Sequence, residues 1–428
     1  LDRQPPLDPV AMAPRDVEDA SGRARRIASA MTCGVLPVQG PPGTGKTWLG
    51  ARLVADALKR GGPHGAPAVI AVTANSHRVI DNLLLEVADY CASSQIEVAV
   101  GHAGSEDKVT TDARVARVDG NPQVASWISA MKDAHRPCVI GATKYAWARP
   151  DLLGSADVLI VDEAGQLPLA DALAVTQCAP VVIALGDPQQ LAAPIQAAHD
   201  ASIEVSLLEH LAQGRAVLPP DVGVFLDRSH RMHGALCSVV AALAYNGELQ
   251  PAPAAARRDI SGRDVHVQGS RIPIRPGVAW LPVSGDADDE VDATLTVISG
   301  LLKNATVTLE DGSTTKLEAR ELLVVAPHNA HVNRIAARAP RGIRVGTVDK
   351  FQGQQGHVVV YSMGRVAASA GDVPFLYEIN RLNVALSRAR LLAVVVSHAD
   401  ATFPPVQTPE QLMLASRFIR AVEGDPSI

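Results

Sequence analysis

The stretch VLPVQGPPGTGKTWLGARL at 35–53 limits this chain's possible folds more than any other. Its GxxxxGKT pattern follows an apolar β-rich run and precedes a helical one, the order of strand, glycine loop and helix that a phosphate-binding loop requires. Gly40, Gly43 and Gly45 let backbone N–H groups curl around phosphates, with Pro41, Pro42 and Thr44 filling the loop between them. Lys46 is positioned to reach the terminal phosphates, and the Thr47 hydroxyl to ligate Mg²⁺.

Further β-rich runs alternate with helical patterns at 68–74, 138–143, 157–164 and 181–187, as buried parallel strands do. After LPPDVG at 218–223 the alternation resumes with VFLDRSH and with runs at 278–283, 322–328, 345–351, 357–363 and 391–398. The fold class expected is therefore α/β with two consecutive units, each a parallel sheet flanked by helices, at 35–217 and 218–428. Residues 1–34, opening LDRQPPLDP, read as a Pro-rich lead-in or linker, one segment of a longer polypeptide. Mixed polarity at 91–137 predicts a small insertion on the first unit, and the Ala-, Pro- and Arg-rich 251–276 a long surface loop on the second. The end, TPEQLMLASRFIRAV, has Thr408 as N-cap, Pro409 in the first turn and Gln411 completing a capping box, so a closing helix is expected.

A net charge of −6 argues against holding nucleic acid by bulk electrostatics and leaves only a local basic groove for that purpose. The five cysteines are odd in number, far apart and without a CxxC, which fits reduced thiols and a cytoplasmic location better than disulfides or zinc. No apolar run reaches membrane-spanning length, so no membrane partner is expected.

A phosphate loop needs an acid at the end of a neighbouring strand, and VLIVDEAGQ supplies two. Asp162 suits a magnesium shell and Glu163 the orientation of an attacking water, a pairing that favours hydrolysis over storage. VVIALGDPQQLAAP puts Gly186, Asp187 and Gln190 at another strand end, where polar side chains can sense a γ-phosphate. NRLNVALSRAR at 380–390 runs into the apolar LLAVVV; Arg381 and Arg388 lie seven apart, so one helix face would present cations while Leu382, Leu386 and Ala389 pack. Read alone, that stretch is a solvated helix face.

Six motifs, GPPGTGKT, DEAGQ, GDPQQL, SHRMH at 229–233, TVDKFQGQQG at 347–356 and RLNVALSRAR, stand in the order and rough spacing of superfamily 1 helicases. The chain most resembles the up-frameshift branch, whose members act on RNA or DNA and whose bacterial relatives often carry a RecB-type nuclease domain. The resemblance spans about 35–398 and implies two tandem RecA-like domains with ATP between them. It implies catalytic roles for Lys46, Asp162, Glu163 and Gln190 from the first and for Arg231 and Arg388 from the second, with Mg²⁺ on Thr47 and Asp162. It places His230 and Gln355 at the nucleotide. Thr73, Asn75, Ser76, Thr143 and Lys144 in the first domain, and Thr347 and Lys350 in the second, would touch a single strand of DNA or RNA. Hydroxyls, amides and backbone N–H groups suit phosphate positioning without sequence readout.

Departures from the pattern are specific. No Gln that could read the adenine edge lies between Asp19 and Ala28, and His230 stands where the family commonly has a base-stacking Tyr, so base selection is expected to be loose. Gln355 replaces an acid, and PHNAH, with His328 and His331, stands where relatives have PYxxQ. The chain also starts too late to hold the β-barrel accessory domain of its relatives. The activity implied is ATP-driven translocation or unwinding, 5′ to 3′. Its rivals are a non-unwinding motor for a nuclease domain or subunit, and a nucleotide switch or scaffold that binds no nucleic acid; the second α/β unit and its arginine motifs speak against the switch.

Overall fold

The computed structural model describes residues 3–191, 205–351, 353–364 and 369–423. Gln352 of FQGQQG and the end of GDPQQLAAP lie outside the described residues. The chain divides into two compact units: the first runs to Leu226 without 42–44 and 189–191, which belong to the second together with 227 onward.

Eight strands form the first sheet: β1 (Gly34–Gln39), β2 (Val69–Thr73), β3 (Ala99–Ala103), β4 (Val115–Val118), β5 (Cys138–Gly141), β6 (Val158–Val161), β7 (Val181–Gly186) and β8 (Val224–Phe225). Their order is β4-β3-β5-β2-β6-β7-β1-β8, and every pairing is parallel. The inner strands β2, β5, β6 and β7 are buried at every residue, which is why they read as unbroken apolar runs rather than alternating ones. Helices Ala20–Ala30, Lys46–Arg60 and His77–Ser93 cover one face through Ile27, Leu49, Val54 and Leu83. The other face packs on Trp147, Leu152, Val175 and Leu208; buried Trp147 satisfies its Nε1–H on the carbonyls of Val72 and Ala142 at 3.1 and 3.2 Å.

Four expectations are corrected. Residues 91–137 are not an insertion: β3 and β4 extend the sheet, with β3 paired to β5. β3 is interrupted by Gly101 and His102, and β4 exposes Ala116 and Arg117, so neither reads as an unbroken apolar run. Residues 1–34 are more than a lead-in, because helix Ala20–Ala30 buries Ala24 and Ile27 in the core, and Arg23 closes the turn before it through two hydrogen bonds to Met12 O. VFLDRSH does not open the second unit, since Val224 and Phe225 pair with Val38 and Gln39 of β1. Residues 251–276 are not a plain loop; they carry three short strands.

The second unit contains β9 (Arg228–Ser229), β10 (Gln250–Pro251), β11 (Asp259–Gly262), β12 (Val265–Val267), β13 (Ser270–Ile272), β14 (Gly277–Val283), β15 (Ala305–Thr308), β16 (Thr314–Lys316), β17 (Leu322–Ala326), β18 (Arg344–Thr347), β19 (Gly356–Ser362) and β20 (Ala389–His398). Its main sheet is parallel in the order β14-β20-β19-β17-β18. β11, β15 and β16 form a small antiparallel sheet and β12–β13 a hairpin. The closing helix Pro409–Glu423 starts as its sequence predicts: Thr408 Oγ1 accepts from Gln411 N–H, and Gln411 Oε1 accepts from Thr408 N–H, both at 3.2 Å. Both units are parallel sheets flanked by helices, the tandem RecA-like arrangement expected from the sequence.

Candidate functional site

Because every strand of the first sheet is parallel, all its C-terminal ends share one edge, where ligands of such sheets bind. Five adjacent strands, β5-β2-β6-β7-β1, carry the predicted residues there in turn. Thr143 and Lys144 follow β5; Thr73, Asn75 and Ser76 end or follow β2; Asp162 and Glu163 follow β6; Asp187 and Gln190 follow β7; and 40–45 follow β1.

The loop after β1 is held by Gly40 N–H donating to Gly186 O at 2.8 Å. Gly43 and Gly45 have φ of 79° and 84°, left-handed values that only glycine adopts at no cost, and Gly45 caps the helix Lys46–Arg60. Lys46 Nζ donates to Gly40 O at 2.6 Å, folded back over the loop. Asp162 is 4% exposed; its N–H donates to Thr73 O and its Oδ1 accepts from Glu163 N–H, each at 2.9 Å. Burial, with the Glu163 charge beside it, pushes the Asp162 carboxyl up to about 7, and Lys46 pulls the other way. Glu163 itself sits at φ 54°, ψ 41°, a left-handed conformation that costs a non-glycine residue about 1 kcal/mol or more. The loops after β6 and β7 touch main chain to main chain: a Cβ on Gly165 would stand 2.5 Å from Asp187 O, and one on Gly186 2.6 Å from Gly165 N.

Within the second unit, segments 42–44 and 189–191 are packed by its own side chains. Ser229 Oγ donates to Pro42 O at 3.0 Å and His230 N–H to Gly43 O at 2.8 Å, while a Cβ on Gly43 would run into Arg231 Cβ. Arg231 Nη1 donates to Ser387 O at 3.0 Å. Asn383 donates to Gln189 O at 2.7 Å and Asn380 to Gln190 O at 3.1 Å. Arg388, 3% exposed, has Nη2 3.5 Å from Gln190 Oε1. The helical face proposed for Arg381 and Arg388 is corrected: the helix is Ile379–Ser387, Arg388 is its C-cap, and Ala389 begins β20. A cation at a helix C-terminus is favoured by the dipole, so Arg388 is held by position rather than by a solvated face.

Asn75 and Ser76 are exposed; Asn75 donates to Gln166 Oε1 at 3.0 Å, and Ser76 caps helix His77–Ser93. Thr73 is buried, and its Oγ1 has no hydrogen-bond partner among the described residues. Lys144 pairs with Asp171. In the second unit Thr347 and Lys350 lie at the C-terminal end of β18, with Lys350 Nζ on Val345 O at 3.3 Å. His230 is exposed and Gln355 half-buried. His328 stacks on Phe375, ring centroids 4.9 Å apart, whereas His331 is buried with Nε2 2.7 Å from Ser362 Oγ, which in turn donates to Glu290 Oε1 at 2.7 Å.

Arg258 escaped the sequence reading. Its Nη1 donates to Arg231 O at 2.8 Å and its Nη2 to His230 O at 3.1 Å, and it pairs with Glu310 beyond β15. No spacing announces it; AAARRDI has no periodic context, and only the fold brings 258 to 231.

Among the described residues no group of three or more His, Cys, Asp or Glu side chains could hold a metal of its own. Thr47 and the electron-rich Asp162–Glu163 pair instead fit a magnesium ion that arrives with phosphates, since Mg²⁺ usually takes one or two protein ligands and completes its shell with water and substrate. The glycine cradle fits a polyphosphate in the same way.

AAA domain models match residues 21–204 and 203–400, so together they span nearly the whole chain. DNA-binding protein SMUBP-2 of Rattus norvegicus is 25% identical over 85% of this chain and 41% of its own length. A Regulator of nonsense transcripts 1 homolog of Arabidopsis thaliana is 24% identical over 88% and 32%, respectively. DNA replication ATP-dependent helicase/nuclease DNA2 of Gallus gallus is 22% identical over 86% and 35%. This chain thus spans less than half the length of each of these relatives. Among solved structures, arterivirus nonstructural protein 10, a helicase in complex with DNA, is similar with a TM-score of 0.47 and 14% identity, over 89% of this chain and 63% of that one.

Proposed function

The chain belongs to the superfamily 1 helicases of the up-frameshift type, and from that membership we propose that it is an ATP-driven motor on single-stranded nucleic acid, moving 5′ to 3′ and separating strands. The observation that carries the reading is local: residues 42–44 of the phosphate loop and Gln190 pack with Arg231 and Arg388 in one compact unit. A nucleotide switch has no use for two arginine motifs packed with its phosphate loop. Mg²⁺–ATP supplies the phosphoanhydride that is cleaved. Lys46 neutralises the terminal phosphates, Thr47 and Asp162 would hold the cation, and Glu163 orients the attacking water and takes its proton. Gln190 aligns that water, and Arg231 and Arg388 neutralise charge developing on the γ-phosphoryl oxygens. Asn75, Ser76, Thr143 and Lys144, with Thr347 and Lys350, grip the sugar-phosphate backbone without reading bases, which lets an acidic protein hold a polyanion.

The test is ATP hydrolysis with and without single-stranded DNA and RNA. We expect strand-stimulated turnover that Lys46→Ala abolishes. Stimulation that survives in Lys46→Ala, or no stimulation of the parent by either polymer, sinks the proposal.

A further inference from the structure

Beside the proposed backbone contacts lies a chain of polar groups that the function above does not use. His102, on β3 and fully buried, has Nδ1 2.6 Å from Asp81 Oδ1 and Nε2 3.0 Å from His77 Nδ1. Asp81 Oδ1 also accepts from Thr110 N–H at 3.1 Å, so this oxygen is an acceptor. The order of protons follows from that end. His102 must place its proton on Nδ1, which leaves a lone pair on Nε2; His77 must then donate from Nδ1, which leaves its own Nε2 as a lone pair. Burial lowers the pKa of His102, and burial with His102 beside it lowers that of His77, so both rings stay neutral near neutral pH. His77 is half-buried, and its Nε2 makes no hydrogen bond among the described residues.

The position of this lone pair gives it meaning. In the sheet β5 lies between β3 and β2, so the bond from His77, which follows β2, to His102 on β3 crosses the C-terminal end of β5. Gly141 at that end is paired in register with His102 and has no side chain to block the crossing; a Cβ there would collide with Ile80 of His77's own helix. The ring thus belongs to the same C-terminal edge that carries Asn75–Ser76 after β2 and Thr143–Lys144 after β5. Every group proposed to meet phosphate can donate a hydrogen bond; this nitrogen can only accept one. It repels a phosphate oxygen and attracts a hydroxyl, and the hydroxyl that a nucleic-acid backbone offers is the ribose 2′-OH.

We propose that His77 reads the sugar: held as an acceptor by the Asp81–His102 relay, its Nε2 takes a hydrogen bond from a ribose 2′-hydroxyl, so that the motor favours single-stranded RNA over DNA of the same sequence. This rests on the strand-binding reading above. The experiment compares binding of equal-length oligomers of U, dU and 2′-O-methyl-U by fluorescence anisotropy. The base is the same in all three, and the methylated sugar keeps the RNA pucker while losing the donor. U is expected to bind about 3- to 10-fold tighter than dU, the worth of one added hydrogen bond, with 2′-O-methyl-U at the level of dU. His77→Leu should remove the difference. His102→Leu should shrink it without any contact to the strand, and His77→Lys, which donates only, covers the case where the buried substitution fails to fold. Well below pH 6.5, protonation of His77, which faces His102, Asp81, Lys108 and Asp107, turns the acceptor into a donor and should erase the difference too. U and dU within twofold of each other, a preference that 2′-O-methyl-U shares, or a preference that persists in His77→Leu overturns the inference and leaves the motor intact. No binding of any oligomer, with no strand-stimulated hydrolysis, overturns both.

Discussion

The two units share an architecture but use their sheets differently. In the first, the predicted residues follow the C-terminal ends of β5, β2, β6, β7 and β1. In the second, Arg388 stands just before β20, at the N-terminal edge, whereas Thr347 and Lys350 follow β18 at the opposite one. The seven residues of β19 set the two edges apart by ~23 Å. One unit gathers its predicted residues along a single line; the other separates Arg388 from Thr347 and Lys350 by the length of its sheet.

The strongest way to break this comparison is to show that the N-terminal edge is idle. Arg388→Ala should slow strand-stimulated ATP turnover by ~10³ to 10⁵ with little change in nucleotide affinity, the signature of a group used mainly in the transition state. Arg388→Lys keeps the charge but not the planar fork and should rescue poorly. Arg390, already inside β20, serves as the control. Turnover within a factor of ten of the parent in Arg388→Ala would reduce that edge to packing.

Arg258 sharpens the contrast, because it serves the same edge from outside the motifs. Arg258→Ala frees the carbonyls of His230 and Arg231 and lets Arg231 drift, which should cost about 10² in turnover and leave ATP binding nearly intact. Lysine cannot span two carbonyls in the same way, so Arg258→Lys should recover little. Unchanged turnover in both variants would show that Arg231 is placed without it.

The smallest effect concerns stability in acid. Burial holds His331 down to about 4, below its ordinary 6.5, so the unfolded chain takes up that proton first. Its contribution is complete above pH 6.5 and is lost as the pH falls toward 4, roughly 3 kcal/mol at most. Glu290, raised by burial, acts in the opposite sense, since its neutral form is favoured in the fold, and so reduces the net loss. Urea midpoints between pH 7 and 4 should fall less steeply for His331→Gln than for the parent; equal slopes would count against this account.

Legibility followed the same division. Motifs after C-terminal strand ends combine an apolar run, a turn and a polar group within about ten residues, so the places of 40–47, 162–163 and 186–190 after β1, β6 and β7 are legible in the sequence. Arg388 was readable as a motif but not as a place, because helical periodicity continues through 388–389 in the sequence while the chain has already turned into β20. β3 is hidden by Gly101 and His102 in its run, β4 by its two exposed residues, and β11–β13 by their three- and four-residue lengths. Arg258, and the buried set of His331, Ser362 and Glu290, depend on contacts 27 to 72 residues apart, which no local pattern encodes.

Gly165 and Gly186 fit one loop into the other as a key fits a slot, with no upholstery between. A side chain between two loops can change rotamer and absorb a displacement of an ångström; two main chains in contact cannot. The spacing between the loop after β6 and the first residue after β7 is therefore held closely at Gly165 and Asp187, and it should vary little with neighbouring substitutions. Such a joint has a cost of its own. It admits no gradual variation, because the first methyl group added to either glycine forces the loops apart.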